Sequence, residues 1–387
     1  MAYNINSKSV ILSAILLGTV GVFSFIVQPG LVQGFVTQLG VSEAGANGLA
    51  AAEMGGIALA TLVAAILSNR VNWRLLIGLS LLIATIGNLA SALIMDVSHL
   101  GVIRFLTGIG SGGIIGLSFA VIGLTDKPEK NLALYLTLLL IYGAIGLWLM
   151  PTILETIGLK GIFLIWTVLT ALALFVLRYL PKSSENRETP SPTAIQFNLG
   201  FLAFALLGIL AYNTAIGLAW ANLFLIGLEV KPDEQAIANS LLLSQFIAIP
   251  GALMAVFMSD RFGRWIPYTM GIIGGMLSIF ALWMSNSFAV FVIAVCAFNF
   301  LWNMVLPYIL ASVNDMDEKS RMVTPAISMQ MMGLFIGPFL GAIILGQGAN
   351  FQNVKLIIVG LFIVSFIILA ICLQQHGVRL KRKITHS

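Results

Sequence analysis

Residues 181–198 read PKSSENRETPSPTAIQFN, the longest stretch in which polar, charged and proline residues displace apolar ones. Such a composition reads as a flexible linker. What flanks it decides the fold. Apolar runs fall at 10–38, 44–68, 74–95, 98–124, 131–154 and 160–180 before it. They fall at 199–226, 236–258, 266–284, 288–314, 320–345 and 353–374 after it. Each is close to the roughly 20 residues a helix needs to cross a bilayer. The expectation is an all-α integral membrane protein with twelve transmembrane helices in two pseudo-symmetric six-helix bundles. The bundles are residues 1–180 and 199–374, with the linker at 181–198 and a basic tail at 375–387.

Composition agrees. Of 387 residues 59% are hydrophobic and 9% charged, against about a quarter charged in a soluble domain. A water-soluble fold of this length needs more polar side chains to cover its outside. The net charge of +5 does not signal nucleic acid, because the basic residues stand singly or in pairs between apolar runs, without a groove or an aromatic-interleaved patch. With the N-terminus placed in the cytoplasm, all 20 Lys and Arg fall on the inner side except Lys160, Lys231, Lys355 and the intrahelical Arg104. That bias predicts both termini inside, as expected of a multi-pass protein of the cell (inner) membrane. Cys296 and Cys372 lie far apart in apolar runs and read as small core residues. Lys8 before the first run lacks a cleavage pattern, so that run reads as the first span, bent at Pro29.

The two halves echo each other. Ser68-Asn69-Arg70 corresponds to Ser259-Asp260-Arg261, Arg104-Phe105-Leu106 to Asn299-Phe300-Leu301, and Tyr142-Gly143 to Met332-Gly333. The offsets stay within 190 to 195 residues, which marks a duplicated unit. Ser259-Asp260-Arg261-Phe262-Gly263-Arg264 resembles the DRxGR loop of the major facilitator superfamily. Arg104-Phe105-Leu106-Thr107-Gly108-Ile109-Gly110 resembles that family's fourth-helix motif. Gly333, Gly337-Pro338 and Gly341 resemble its Gly-Pro element, here on the eleventh helix instead of the fifth. The resemblance covers nearly the whole chain. It implies a secondary transporter that rocks two bundles about a central site. It also implies a gating latch of Asp260, Arg261 and Arg264, with a degraded first-half copy at Asn69 and Arg70. Simple positive-inside anchoring would explain the basic members of the latch but not Asp260.

Two intramembrane groups stand out. Glu53 lies in Ala50-Ala51-Ala52-Glu53-Met54-Gly55-Gly56, on a face of small residues suited to helix contact. At about 1.5 Å per residue, Glu53 is roughly 13 Å and Arg104 roughly 9 Å from the outer ends of their helices. An Arg side chain can bridge that difference. The pair is expected to carry proton coupling, since buried ionisable groups in a bilayer are costly and usually functional. A permanent structural ion pair is the plainer alternative. Gly108, Gly110 and Gly113 match a dinucleotide fingerprint formally, but they lie inside an apolar span where close helix packing accounts for them.

The second half carries amides and aromatics instead of charge. Asn213, Trp220 and Asn222 lie on the seventh run, Gln245 on the eighth, Asn299, Trp302 and Asn303 on the tenth, and Gln330 on the eleventh; Gln28 is a similar candidate on the first. Amides orient a polar group while indoles cover an apolar body, as small-molecule pockets do. Helix–helix hydrogen bonding and ordinary packing are the competing explanation. No P-loop, zinc-binding spacing or nucleophile elbow occurs. The expectation is therefore a non-enzyme without cofactor or metal. It is expected to be monomeric, to move a small organic solute of apolar, aromatic or amphipathic character, and to be driven by protons. An uncoupled facilitator or lipid-type flippase of the same fold is the alternative, and a receptor or scaffold is the weaker one, because long loops are missing.

Overall fold

A computed structural model describes residues 5–67, 72–181, 199–259, 265–314 and 323–386. Among them there are helices and no strand. The first span is built from three pieces, α1 (Lys8–Gly21), α2 (Phe23–Ile26) and α3 (Gln28–Leu39). Then come α4 (Glu43–Leu67), α5 (Trp73–Leu93), α6 (Val97–Gly123), α7 (Pro128–Thr156) and α8 (Gly158–Ala173), the last continued by a 3-10 turn at Leu174–Tyr179. The second half comprises α9 (Leu199–Val230), α10 (Glu234–Ser259), α11 (Trp265–Met284), α12 (Phe288–Asn314), α13 (Val323–Gly346) and α14 (Phe351–His386). Eleven helices are long and apolar enough to cross a membrane among the described residues, and the three-piece segment from Lys8 to Leu39 supplies a twelfth crossing.

Helix ends follow local chemistry. The side chains of Asn72 and Asp96 cap α5 and α6 by accepting from backbone N–H groups of the first turn. Gly40 ends α3 at φ 63°, a conformation that a Cβ would oppose. Large apolar side chains cover the outside, with Ile86 64%, Phe175 71% and Ile293 69% exposed. Water would expel such a surface, whereas hydrocarbon accepts it.

Within the first half α6 packs on α1, α4 and α5, and within the second α12 packs on α9, α10 and α11. The duplication is visible at atomic level. A methyl on Gly56 of α4 would overlap the Phe105 carbonyl of α6, and one on Gly251 of α10 would overlap the Phe300 carbonyl of α12. Both contacts are related by the 195-residue offset that separates Arg104 from Asn299. The halves meet along α4 with α13, α7 with α10, and α3 with α9.

Three details refine the reading of the sequence. The first span is not one helix bent at Pro29. Its ladder is interrupted at Val22 and Val27, and Pro29 falls in the first turn of α3, where its missing N–H costs nothing. Lys355, counted on the outer side, is buried near the start of α14, where it donates to the Leu282 carbonyl and lies 3.7 Å from Glu229. Third, α14 runs on through the segment read as a separate basic tail.

Candidate functional site

The small-residue face of α4 and the glycines of α6 let two backbones touch, and this contact places the charged pair. A Cβ on Gly108 would strike the Glu53 carbonyl, and one on Gly112 the Ile57 carbonyl. Arg104 lies one turn from Gly108 on the same face, so its guanidinium meets the Glu53 carboxylate. The contact is bidentate: Nη2 bonds Oε1, and Nε donates to Oε2 at 3.2 Å. Nη1 donates to Asn88 Oδ1 at 3.0 Å and to Ser91 Oγ at 3.3 Å, both on α5. The guanidinium carbon lies 4.9 Å from the Phe163 ring centroid and 5.9 Å from that of Trp166. Arg104 is fully buried and Glu53 is 4% exposed. Every face of this cation has a partner, as a charge removed from water requires. Beside the pair is a cavity of about 10 Å³ bounded by Ser24, Glu53, Asn88, Arg104 and Trp166 among others, near the smallest volume that admits a water.

The broken first span reaches the same pair. Ser24 Oγ donates to Glu53 Oε1 at 2.6 Å. On the other side of this one-turn segment lies an aromatic cluster in which Trp302 packs against Phe25, Trp220 and Phe298, with centroids 5.9 to 6.3 Å apart. Phe25 belongs to the first half and the other three to the second, so the cluster straddles the seam.

The sequence candidates sort by what their polar atoms do. Gln28 Oε1, Asn213 Oδ1 and Gln245 Nε2 are buried without a hydrogen-bond partner. Asn213 and Trp220 are two turns apart on one face of α9, and Gln245 lies by Gly143 and Ile26. Other amides are engaged: Asn299 donates to Ser244 Oγ, Asn303 to the Asn299 carbonyl, and Asn222 exchanges bonds with Asn47. Trp220 Nε1 donates to the Phe25 carbonyl, and Gln330 is half-buried on α13. The sequence reading missed Ser24, Phe25, Asn88, Ser91, Asn47 and Trp166. Asn88 and Ser91, three apart near the end of α5, were the one available signal for the Arg104 shell. The others are common packing residues until a partner is seen.

Residues 13–324 match the sequence profile of the Major Facilitator Superfamily. The chain belongs to that superfamily. It is accordingly a membrane transporter and not an enzyme. None of the curated proteins matches it. Among solved structures it is similar to the xylose transporter XylE from E. coli in a partially occluded inward-open conformation, at 15% identity, TM-score 0.70, with 92% of this chain and 97% of that one covered. It is similar to a D-xylose–proton symporter at 15% identity and TM-score 0.76, covering 93% and 96%. A third likeness is to the nucleoside transporter NupG, at 13% identity and TM-score 0.74, covering 93% and 99%. At these identities the likeness is one of fold.

In this major facilitator protein the two halves are also joined beyond the aromatic cluster, at the end remote from the chain termini. Gln33 Nε2 donates to Glu234 Oε1 at 2.5 Å, and Gln235 Nε2 donates to the Trp148 carbonyl at 3.3 Å. The reciprocal Asn47–Asn222 amide pair has bonds of 2.8 and 3.0 Å. A cavity of about 410 Å³ between Gln38, Glu155 and Gln235 opens at this same end. The latch candidates Asn69, Arg70, Asp260, Arg261 and Arg264 lie outside the described residues.

Proposed function

We propose that the protein is a proton-coupled secondary transporter that carries a small organic solute with an apolar or aromatic body across the inner membrane by alternating access. The observation that carries this reading is the set of unpartnered amide atoms on Gln28, Asn213 and Gln245, on three different helices, with Gln28 and Gln245 beside the segment whose Phe25 joins the indole cluster shared by both halves. Each unmade buried hydrogen bond costs about 1–3 kcal/mol, a cost that a polar solute group relieves. The indole faces suit its apolar body. A site at the seam is what rocking bundles need. The Lys and Arg distribution supports cytoplasmic termini, so the hydrogen-bonded end is the outer one and this conformation is closed to the outside. The basic motif with Asp260 is assigned the role of latch in the opposite state. Asp260→Asn is expected to slow turnover more than it weakens binding.

Glu53 is assigned the proton. Protonating it removes the counter-ion of Arg104 inside a sealed shell, so proton binding and rearrangement are tied together. Coupling rests on this pair and not on the symporter above, whose 15% identity conveys fold only. The test is proton movement in liposomes containing the purified protein, challenged with aromatic acids, amphipathic cations and small sugars. A pH change elicited by one compound, and lost in Glu53→Gln, is the expected result.

One observation favours a second reading. Arg104 is buried with four of its five donors bonded, as in a permanent structural pair, and an uncoupled facilitator or flippase would have the same shell. Counterflow of a compound with no proton movement decides for that reading.

A further inference from the structure

The segment Phe23–Ile26 touches both the charged pair and the aromatic cluster, and the reason lies in its backbone. Val22 and Val27 adopt φ −107°, ψ 10° and φ −102°, ψ 13°, outside the helical well. The Val27 N–H turns to the Phe25 carbonyl, leaving the Phe23 carbonyl, its partner in an unbroken helix, without that donor. Residue 29 is a proline, so the donor that an unbroken helix would aim at the Phe25 carbonyl does not exist. Aromatic side chains from other helices serve both oxygens. Tyr142 Oη of α7 donates to Phe23 O at 3.3 Å, and Trp220 Nε1 of α9 donates to Phe25 O at 2.9 Å. Between them Ser24 Oγ donates to Glu53.

We infer that this single turn is the mechanical link between the proton site and the solute site, with Ser24 as its positioning residue. Ser24 ties the turn to the Glu53 carboxylate. When the carboxylate takes up a proton and parts from Arg104, the turn loses its anchor and rotates about Val22 and Val27. The Phe25 carbonyl then moves against the Trp220 indole in the opposite half. The Phe23 and Phe25 carbonyls hold no helical donor, so of the intrahelical ladder only the Ile26 N–H bond to the Val22 carbonyl, at 3.1 Å, resists this movement. Arg104 on α6 is the charged group facing Glu53. The other elements around the carboxylate bring Asn88 and Ser91 on α5, Trp166 on α8 and the Tyr142 phenol on α7, while α3 and α13 present no charged residue among those described. Protonation therefore acts through Ser24 or through Arg104, and the two routes are separable.

This inference rests on Glu53 being the proton site. The test uses the full chain in nanodiscs, labelled with fluorotryptophan and titrated with acid by fluorine NMR; Trp166→Phe and Trp220→Phe assign the two resonances. Trp166 lies beside Arg104 and reports the pair, whereas Trp220 reports the far side of the turn. In the unmodified protein both resonances are expected to shift with one midpoint. In Ser24→Ala the Trp166 shift is retained, which also shows that the variant is folded, while most of the Trp220 excursion is lost. A Trp220 titration unchanged in Ser24→Ala overturns the link alone. A Trp166 titration that persists in Glu53→Gln overturns the proton site and the link with it.

Discussion

The central residue is Arg104, which is fully buried and has four of its five N–H donors bonded to Glu53, Asn88 and Ser91. Removing it strands Glu53 in the interior, and Arg104→Ala is expected to cost about 3–5 kcal/mol, read as a large fall in melting temperature in detergent. Replacing both members by apolar residues of similar size, as in Glu53→Leu with Arg104→Met, should restore much of that stability. Transport should not return with it. A doubly substituted protein that still couples solute to protons would rule the pair out of the mechanism. His99 belongs at this scale as well. Its ring bonds the Asp96 carboxylate at 2.6 Å and, with Ser98, holds that carboxyl below the usual carboxylate range. A lowered carboxylate pKa stabilises the fold above the unfolded value, and the stabilisation is lost as pH falls through the folded one. Both groups are exposed, so screening keeps the effect small and confined to acid. His99→Ala is expected to leave the pH profile of transport near neutrality unchanged. A shifted profile would transfer pH sensing from Glu53 to the N-terminus of α6.

Among elements, the α4–α6 contact and the broken first span matter most. Gly108→Ala forces α4 and α6 apart at the level of Glu53, with an expected cost of about 1–3 kcal/mol and loss of coupled transport. Gly123→Ala on the same helix meets nothing within 4 Å and should be neutral or stabilising by up to about 1 kcal/mol. Equal effects at the two sites in thermal melts would mean that glycine content, and not backbone proximity, sets the geometry. In the first span, Pro29→Ala restores an N–H that can bond Phe25 O and heal the helix. The protein should then melt higher and turn over more slowly. Faster turnover would indicate that the break is incidental. The sequence carried the glycine faces and the proline legibly. It did not reveal that the ladder fails at two valines, because a β-branched residue is tolerated in most helices and only the demands of α4, α7 and α9 draw these four residues out of line.

Across the whole molecule, the halves are fastened at one end by Gln33–Glu234, Asn47–Asn222 and Gln235–Trp148. If alternating access operates, these contacts must part in each cycle. Asn47→Cys and Asn222→Cys, in a protein with Cys296 and Cys372 replaced by alanine, should be joined by a short bis-methanethiosulfonate crosslinker, which forms a reducible disulfide with each thiol. Transport should stop and resume on reduction. Undiminished transport by the crosslinked protein would mean that this end never opens.

By itself the sequence determined that the chain crosses a membrane about twelve times in two related halves, because hydrocarbon imposes a length and a polarity on every crossing segment. It marked Glu53 and Arg104 because an ionisable group is conspicuous in such segments whatever it touches. The tertiary structure alone decided that the two meet, that Asn88, Ser91 and Trp166 complete their shell, and that Asn222 is bound to Asn47 while Gln28, Asn213 and Gln245 keep unpartnered atoms. An amide, a serine or an indole is cheap at many places in a helix bundle. Its role is fixed by which neighbour satisfies it, and that neighbour lies tens or hundreds of residues away in the chain.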